Sequence, residues 1–161
     1  MKPVIRLRPV GFVRRLDAGE NVRDLSLACK IVLDKRLKKA LDGITGFSHL
    51  FVVFWMHRVR ETDRHMLKVH PRGRKDMRLL GVYASRTAYR PNPIGLTVVK
   101  LLHRHGHVLT VQGLDALEGT PVLDIKPYDA WDSVRNAKVP RWWLRLEHER
   151  IKKRKSARLA K

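Results

Sequence analysis

Side chains able to bind a ligand or move a proton gather where the apolar runs of this 161-residue chain stop. His57 and Arg58 close one run; Arg86, Tyr89, Arg90 and Asn92 surround a proline-braced corner; Gly113-Leu114-Asp115 follows a third run and Asp124, Lys126 and Tyr128 end a fourth. If the runs are strands that close into a barrel, their ends converge at its rim, where backbone groups and a few charges can hold a small ligand. A carboxylate and a phenol there suit proton transfer, and guanidinium groups suit anions. Plainer uses stand beside these. Asp124 and Lys126, two apart on one strand face, can simply pair, Asp115 can cap the following turn, and His57 can be an edge residue.

The common catalytic motifs are missing: there is no G-x-S-x-G, P-loop, H-E-x-x-H or G-x-G-x-x-G. That excludes a standard Rossmann methyltransferase or dehydrogenase. His103, His105 and His107 flank an expected turn with no cysteine or carboxylate cluster beside them, so no metal site is expected. Cys29 sits in an apolar run, where a thiol is inert.

The elements that must position these groups read as mostly β. Residues 3–14 have a strand's composition with imperfect alternation, and 16–24, with Asp17, Gly19, Glu20 and Asn21, form a loop. An apolar strand over 28–33 leads to Asp34, which caps a short helix over 35–41 that Gly43 ends. The run 47–57 reads as a central strand buried on both faces. Residues 58–76 form a basic loop or ribbon, in which Pro71 and Gly73 exclude a long helix and Arg72 and Arg74 suit phosphates. Val82 and Ala84 alternate with Tyr83 and Ser85 as in a strand. Arg90-Pro91-Asn92-Pro93 then makes a stiff corner, because each proline fixes its own φ and pushes the residue before it out of the helical region. A strand through 97–102, a hairpin at 104–107 turning on Gly106, and strands over 108–114 and 120–125 follow. Trp142, Leu144 and Leu146 alternate in a last strand, and 150–161, with seven basic residues and no acidic one, reads as a frayed tail.

The length fits one domain, a barrel over 1–148, followed by a basic tail over 149–161. A single cysteine and the lack of a membrane-length apolar run or signal-peptide core point to a reducing, cytoplasmic setting without membrane attachment. Thirty-five Lys and Arg against fifteen Asp and Glu give a formal charge of +20, which favours nucleic acid as partner.

Three stretches carry a resemblance: GVYASR at 81–86, RPNPIGL at 90–96 and GLDALEGTPVLDIKPY at 113–128. They are supported by FSHL at 47–50, FWMH at 54–57 and VGFVR at 10–14. Together they resemble the TsaA-like domain of the TrmO family of S-adenosylmethionine-dependent tRNA adenosine N6-methyltransferases. The resemblance covers roughly 8–130 and implies a mainly β, single-domain antiparallel β-barrel with short helices, commonly a homodimer. It implies S-adenosyl-L-methionine as cofactor, held by His57, Arg58, Arg86, Leu96, Gln112, Gly113, Leu114 and Asp115. The acceptor it implies is the N6 nitrogen of threonylcarbamoyladenosine next to the anticodon of tRNA. Asp124, Lys126 and Tyr128 are the expected catalytic residues, and Tyr89, Arg90, Asn92, Arg72 and Arg74 the expected contacts to RNA. The chain departs from the family after its first strand, where 16–25 lacks a Pro-Arg-Gln type cofactor loop. A non-catalytic RNA-binding barrel, and a methyltransferase acting on another substrate, are the alternatives.

Overall fold

The computed structural model describes residues 4–15, 22 and 24–159, the last seven of them as backbone only. The loop expected over 16–24 lies outside the described residues except for Val22 and Asp24. In chain order the strands are β1 (Gly11–Arg15), β2 (Ala28–Leu33), β3 (His49–Trp55), β4 (Lys68–Val69), β5 (Leu80–Gly81), β6 (Ile94–His105), β7 (Val108–Gln112) and β8 (Pro121–Pro127), followed by one helix, α1 (Arg141–Leu159). Six of the strands close into a barrel in the order β1-β2-β7-β6-β3-β8, every neighbour antiparallel, and β4 pairs with β5 in a separate ribbon. The expected mainly β barrel is what the chain forms. Residues 1–129 make one compact unit and 130–161 a second; the boundary expected at 148 falls within α1. Among the described residues no helix is long and apolar enough to cross a membrane.

The period of two fills the barrel. Val13, Ile31, Leu50, Val52, Val99, Leu109, Val111 and Val122 are all buried and point inward, each worth about 1.5–3 kcal/mol of transfer free energy. Two glycines let strands and rings come close. A Cβ on Gly11 would lie 2.4 Å from the Val32 carbonyl oxygen, and one on Gly95 would lie 2.2 Å from the Phe54 ring.

β3 is central in pairing, lying between β6 and β8, but it is not buried on both faces as its composition suggests. Leu50, Val52 and Phe54 are buried, whereas Phe51, Val53 and Trp55 are only partly covered. A closed barrel has one interior, so only alternate residues can enter it. Asp34 does cap the segment Lys35–Leu41, by accepting from the Arg36 amide, although the segment is a 3-10 helix. The Arg36 partnership holds the Asp34 carboxyl down to about 2 from its ordinary 3.8. The hairpin between β6 and β7 turns on Gly106 at φ 60°.

Four further expectations fail for identifiable reasons. The first strand is confined to Gly11–Arg15, because Val4 through Pro9 are exposed and unpaired with any strand. Val82–Ala84 is a 3-10 turn, since the Val82 carbonyl accepts from the Ser85 amide and from Arg90 Nη2 rather than from a neighbouring strand. Trp142 to Leu146 belongs to α1: five residues of alternation are outweighed by a long run of helix-favouring Arg, Lys, Glu and Leu after Pro140, whose carbonyl accepts the Trp143 and Leu144 amides. For the same reason the tail is helical as far as Leu159.

Candidate functional site

The antiparallel order brings one end of every barrel strand to the same rim: the C-terminal ends of β1, β3 and β7 and the N-terminal ends of β2, β6 and β8. There the Arg86 guanidinium donates from Nη2 to the Leu96 carbonyl at 2.8 Å. One residue on, the Thr97 hydroxyl donates to the Asp115 carboxylate, tying the start of β6 to the turn after β7. Gln112 donates from Nε2 to the Ser26 carbonyl at 2.6 Å, and Gly113 takes φ 96°, a conformation that turns the backbone sharply without a Cβ penalty. Leu114 is buried, and its carbonyl accepts from Arg15 Nη1 at 3.1 Å. Arg15 thereby braces the 113–116 turn, and Glu118, accepting from the Arg15 amide and from Arg14 Nη1, fixes the far side; these bonds hold the Glu118 carboxyl below its ordinary value.

His57 follows the end of β3, with Nδ1 3.4 Å from the Thr120 hydroxyl and Arg58 beside it. Partial burial, aided by the Arg58 charge, lowers its pKa from the ordinary 6.5. The unfolded chain therefore takes up a proton that the folded chain resists. The contribution of neutral His57 to stability is complete above pH 6.5 and drains away as the pH falls through the lower folded-state value. A proton NMR titration should give His57 a midpoint below 6.5, and a His57→Gln variant should lose less stability than the parent between pH 7 and pH 5. A midpoint at or above 6.5 would remove this account.

The other expected residues are distributed differently. Asp124 pairs in register with Val53, and Val53 with Leu96, so Asp124 and Leu96 lie at one level of the outer face about two strand spacings apart, roughly 10 Å. Lys126 binds Asp124 at 2.8 Å, which raises the lysine pKa, as the strand spacing allows. Tyr128 lies four residues from Asp124 toward the opposite rim, where its ring meets Phe51 edge-on at 5.3 Å and His49 at 6.4 Å. Arg90 directs its guanidinium inward to the Thr87, Val82 and Ser85 carbonyls, at 3.1, 3.3 and 2.9 Å, and so staples its own loop. Tyr89 and Asn92 are exposed beside it. In the ribbon segment Arg72 adopts φ 54° and Arg74 bonds Asp76 at 2.6 Å.

Sequence reasoning missed Arg15, Ser26, Thr97 and Thr120, each of which hydrogen-bonds an expected site residue. It also did not single out Trp55, which lines a cavity near this rim. Trp55, Asn92, Ile94, Pro121 and Leu123, with Ile5, Leu7 and Pro9 of the N-terminal segment, line that cavity of about 390 Å³ on the outer face at this same rim. The position of Trp55, two residues before His57 at a strand end, was the available signal. Among the described residues no group of three or more His, Cys, Asp or Glu could hold a metal ion.

A model of the tRNA-methyltransferase O N-terminal domain matches residues 20–132. A probable S-adenosyl-L-methionine-binding protein of Methanothermobacter thermautotrophicus is 46% identical over 129 residues, covering 77% of this chain and 90% of the relative. The human tRNA (adenine(37)-N6)-methyltransferase is 35% identical over 147 residues, covering 82% of this chain and 32% of its own length. A crystal structure of TrmO from P. aeruginosa superposes with a TM-score of 0.67 at 28% identity, covering 88% of this chain and 62% of that one, so this chain spans less than two thirds of the solved protein. The chain belongs to the tRNA-methyltransferase O N-terminal domain family, a family of S-adenosylmethionine-dependent methyltransferases.

Proposed function

We propose that this protein methylates tRNA, transferring the methyl group of S-adenosylmethionine to the N6 nitrogen of a threonylcarbamoyladenosine next to the anticodon. The observation that carries the reading is the joining of Arg86, Leu96, Thr97 and Asp115, from three separate segments, into one hydrogen-bonded cluster at the barrel rim. The donor set there fits the cofactor: a guanidinium for its carboxylate, a carboxylate for ribose hydroxyls, and backbone carbonyls with apolar Leu96 and Leu114 near a sulfonium. When bound, the cofactor supplies an electrophilic methyl. The protein's own part is orientation, since a reactant fixed in line gains most of its rate from lost freedom already removed. The acceptor nitrogen is weakly basic, and Asp124, held by Lys126, is the proposed acceptor of its proton; Lys126 orients the substrate from the same strand, whereas Tyr128, packed on Phe51 toward the opposite rim, has no part in this step.

RNA is held through charge. Arg58, Arg72, Arg74 and the basic residues of α1 would follow phosphates, while Tyr89, 45% exposed, and Trp131, 95% exposed in the second unit, offer stacking faces. A second copy would cover the outer face of β6 beyond this cluster, where Val98 and Leu102 are 40% and 42% exposed. The single cysteine of the sequence, Cys29, is buried and can form no disulfide within the chain, which suits a cytoplasmic setting. Incubating the protein with methyl-labelled cofactor and total tRNA, then digesting to nucleosides, should place the label on N6-methyl-threonylcarbamoyladenosine. Label on another nucleoside, or on a small molecule, would assign another substrate; no label would leave a barrel that only binds. Neutralising basic residues of α1 should weaken RNA binding and flatten its salt dependence by about 0.9 in logarithmic slope for each phosphate that α1 then leaves unneutralised.

A further inference from the structure

We infer that Arg90 is a positioning residue for Arg86: its guanidinium gathers backbone carbonyls from both sides of Arg86 and so presents that side chain, already oriented, to the carboxylate of the cofactor. This deepens the cofactor reading above and rests on it for the role of Arg86. The segment from Val82 to Pro93 needs such a device, because it lies between β5 and β6 and no strand pairing holds it. Its ends are tied down: the Val82 amide donates to the Leu67 carbonyl at 3.0 Å, and the Pro93 carbonyl accepts from the Met56 amide at 2.8 Å. Between them the bonds of successive turns act over short range. The Ser85 amide and hydroxyl both donate to the Val82 carbonyl, the Thr87 amide donates to the Ser85 hydroxyl, and the Tyr89 amide donates to the Thr87 hydroxyl. Each spans two or three residues and fixes the chain only locally.

Arg90 adds the longer links. Its Nη2 donates to the Ser85 carbonyl at 2.9 Å and to the Val82 carbonyl at 3.3 Å, and its Nε donates to the Thr87 carbonyl at 3.1 Å. Ser85 and Thr87 flank Arg86, so the peptide plane just before Arg86 and the one just after Thr87 are both turned toward Arg90 and held there. A planar fork of donors can meet three carbonyls in this way, whereas an ammonium presents its donors from one point. With its carbonyls gathered inward, the loop sends Arg86 outward. Arg86 is exposed, and its Nη2 reaches across to the Leu96 carbonyl on β6 at 2.8 Å. The two arginines thus divide the work: Arg90, half-buried, bonds to backbone carbonyls, and Arg86 keeps further donors for a ligand. A loop ordered in this way at folding loses less freedom when the ligand binds. The role takes the place of the RNA contact expected of Arg90, since a guanidinium turned into its own loop is not offered to a phosphate.

Titration calorimetry with S-adenosylmethionine and fluorescence anisotropy with labelled total tRNA test this on the full chain. Arg90→Lys keeps the charge and loses the fork; Arg90→Met loses both. Each variant should bind S-adenosylmethionine about three- to tenfold more weakly, the loss expected when a side chain must be ordered at binding, with tRNA affinity and its salt dependence unchanged. In an Arg86→Ala background neither should add a further loss, because nothing is left to position. Cofactor affinity at the parent level in Arg90→Lys reduces Arg90 to its charge and overturns the role. A full further loss in the Arg86→Ala background also overturns it, as damage to the site at large. So does a tRNA salt dependence flattened by about 0.9 in logarithmic slope in Arg90→Met, the mark of a phosphate contact. Should neither variant fold, the parent decides by nuclear magnetic resonance: the Arg90 Nε proton, bonded to the Thr87 carbonyl, should exchange slowly with water, and fast exchange overturns the proposal. A parent that binds no S-adenosylmethionine removes the cofactor reading and this role together, whereas a loss in Arg86→Ala with none in Arg90→Lys removes this role alone.

Discussion

Replacing Gly11 with alanine should cost the fold about 3 kcal/mol, the upper part of the range for an overpacked interior. The added carbon would lie 2.4 Å from the Val32 carbonyl oxygen and 2.7 Å from the Leu33 Cα, and both are backbone atoms of the adjacent strand. No rotamer change relieves that clash. Because Gly11 also pairs with Val122 across the closing seam, moving β1 away from β2 disturbs β8 as well. Gly81→Ala is the matched control: nothing lies within 4 Å of its new carbon, and its φ of −58° is ordinary, so stability should stay within about 0.5 kcal/mol. Urea unfolding followed by circular dichroism measures both. A Gly11→Ala midpoint equal to that of the parent would mean that β1 and β2 do not approach this closely.

Arg86→Ala should weaken binding of S-adenosylmethionine roughly ten- to a hundredfold, the loss of about 1.5–3 kcal/mol expected for a hydrogen bond to a charged group. The prediction depends on where the side chain is held. One terminal nitrogen is engaged by the Leu96 carbonyl at 2.8 Å, which fixes the plane of a guanidinium that carries further donors. Arg86→Lys should recover only part of the loss, since an ammonium cannot hold the Leu96 carbonyl and grip a carboxylate with the same fork geometry. Arg86 is exposed, so the thermal midpoint of the free protein should barely move. Titration calorimetry on the parent and both variants gives the answer; an unaltered dissociation constant in Arg86→Ala takes this residue out of the cofactor site.

What could be read from residues alone, and what could not, divides along the range of the interactions. The Asp34 cap is a bond between near neighbours, visible in residue types and spacing; so is the Gly106 hairpin. The strand ends beside His57 and Gly113 were visible as places where apolar runs stop. Val82–Ala84 differs from the strand its alternation suggests because the Val82 carbonyl is claimed by the Ser85 amide and by Arg90, eight residues away. Trp142 to Leu146 was misread because both periods fit so short a stretch. The Thr97–Asp115 and Arg15–Leu114 bonds link residues 18 and 99 positions apart, and no local pattern encodes them. The family motifs supplied Leu96 and Gln112 as expected cofactor contacts where spacing did not, because a motif carries the result of such long-range bonds without displaying them.

The seam between β1 and β8 joins residue 11 to residue 122, and the chain between them supplies every other stave of the barrel. Folding must therefore bring together segments more than a hundred positions apart before the ring is sealed, which places this domain among slow, high-contact-order folders on the millisecond-to-second scale. On the ribosome, the opening strand would have to wait for nearly the whole barrel sequence to emerge before finding its last neighbour.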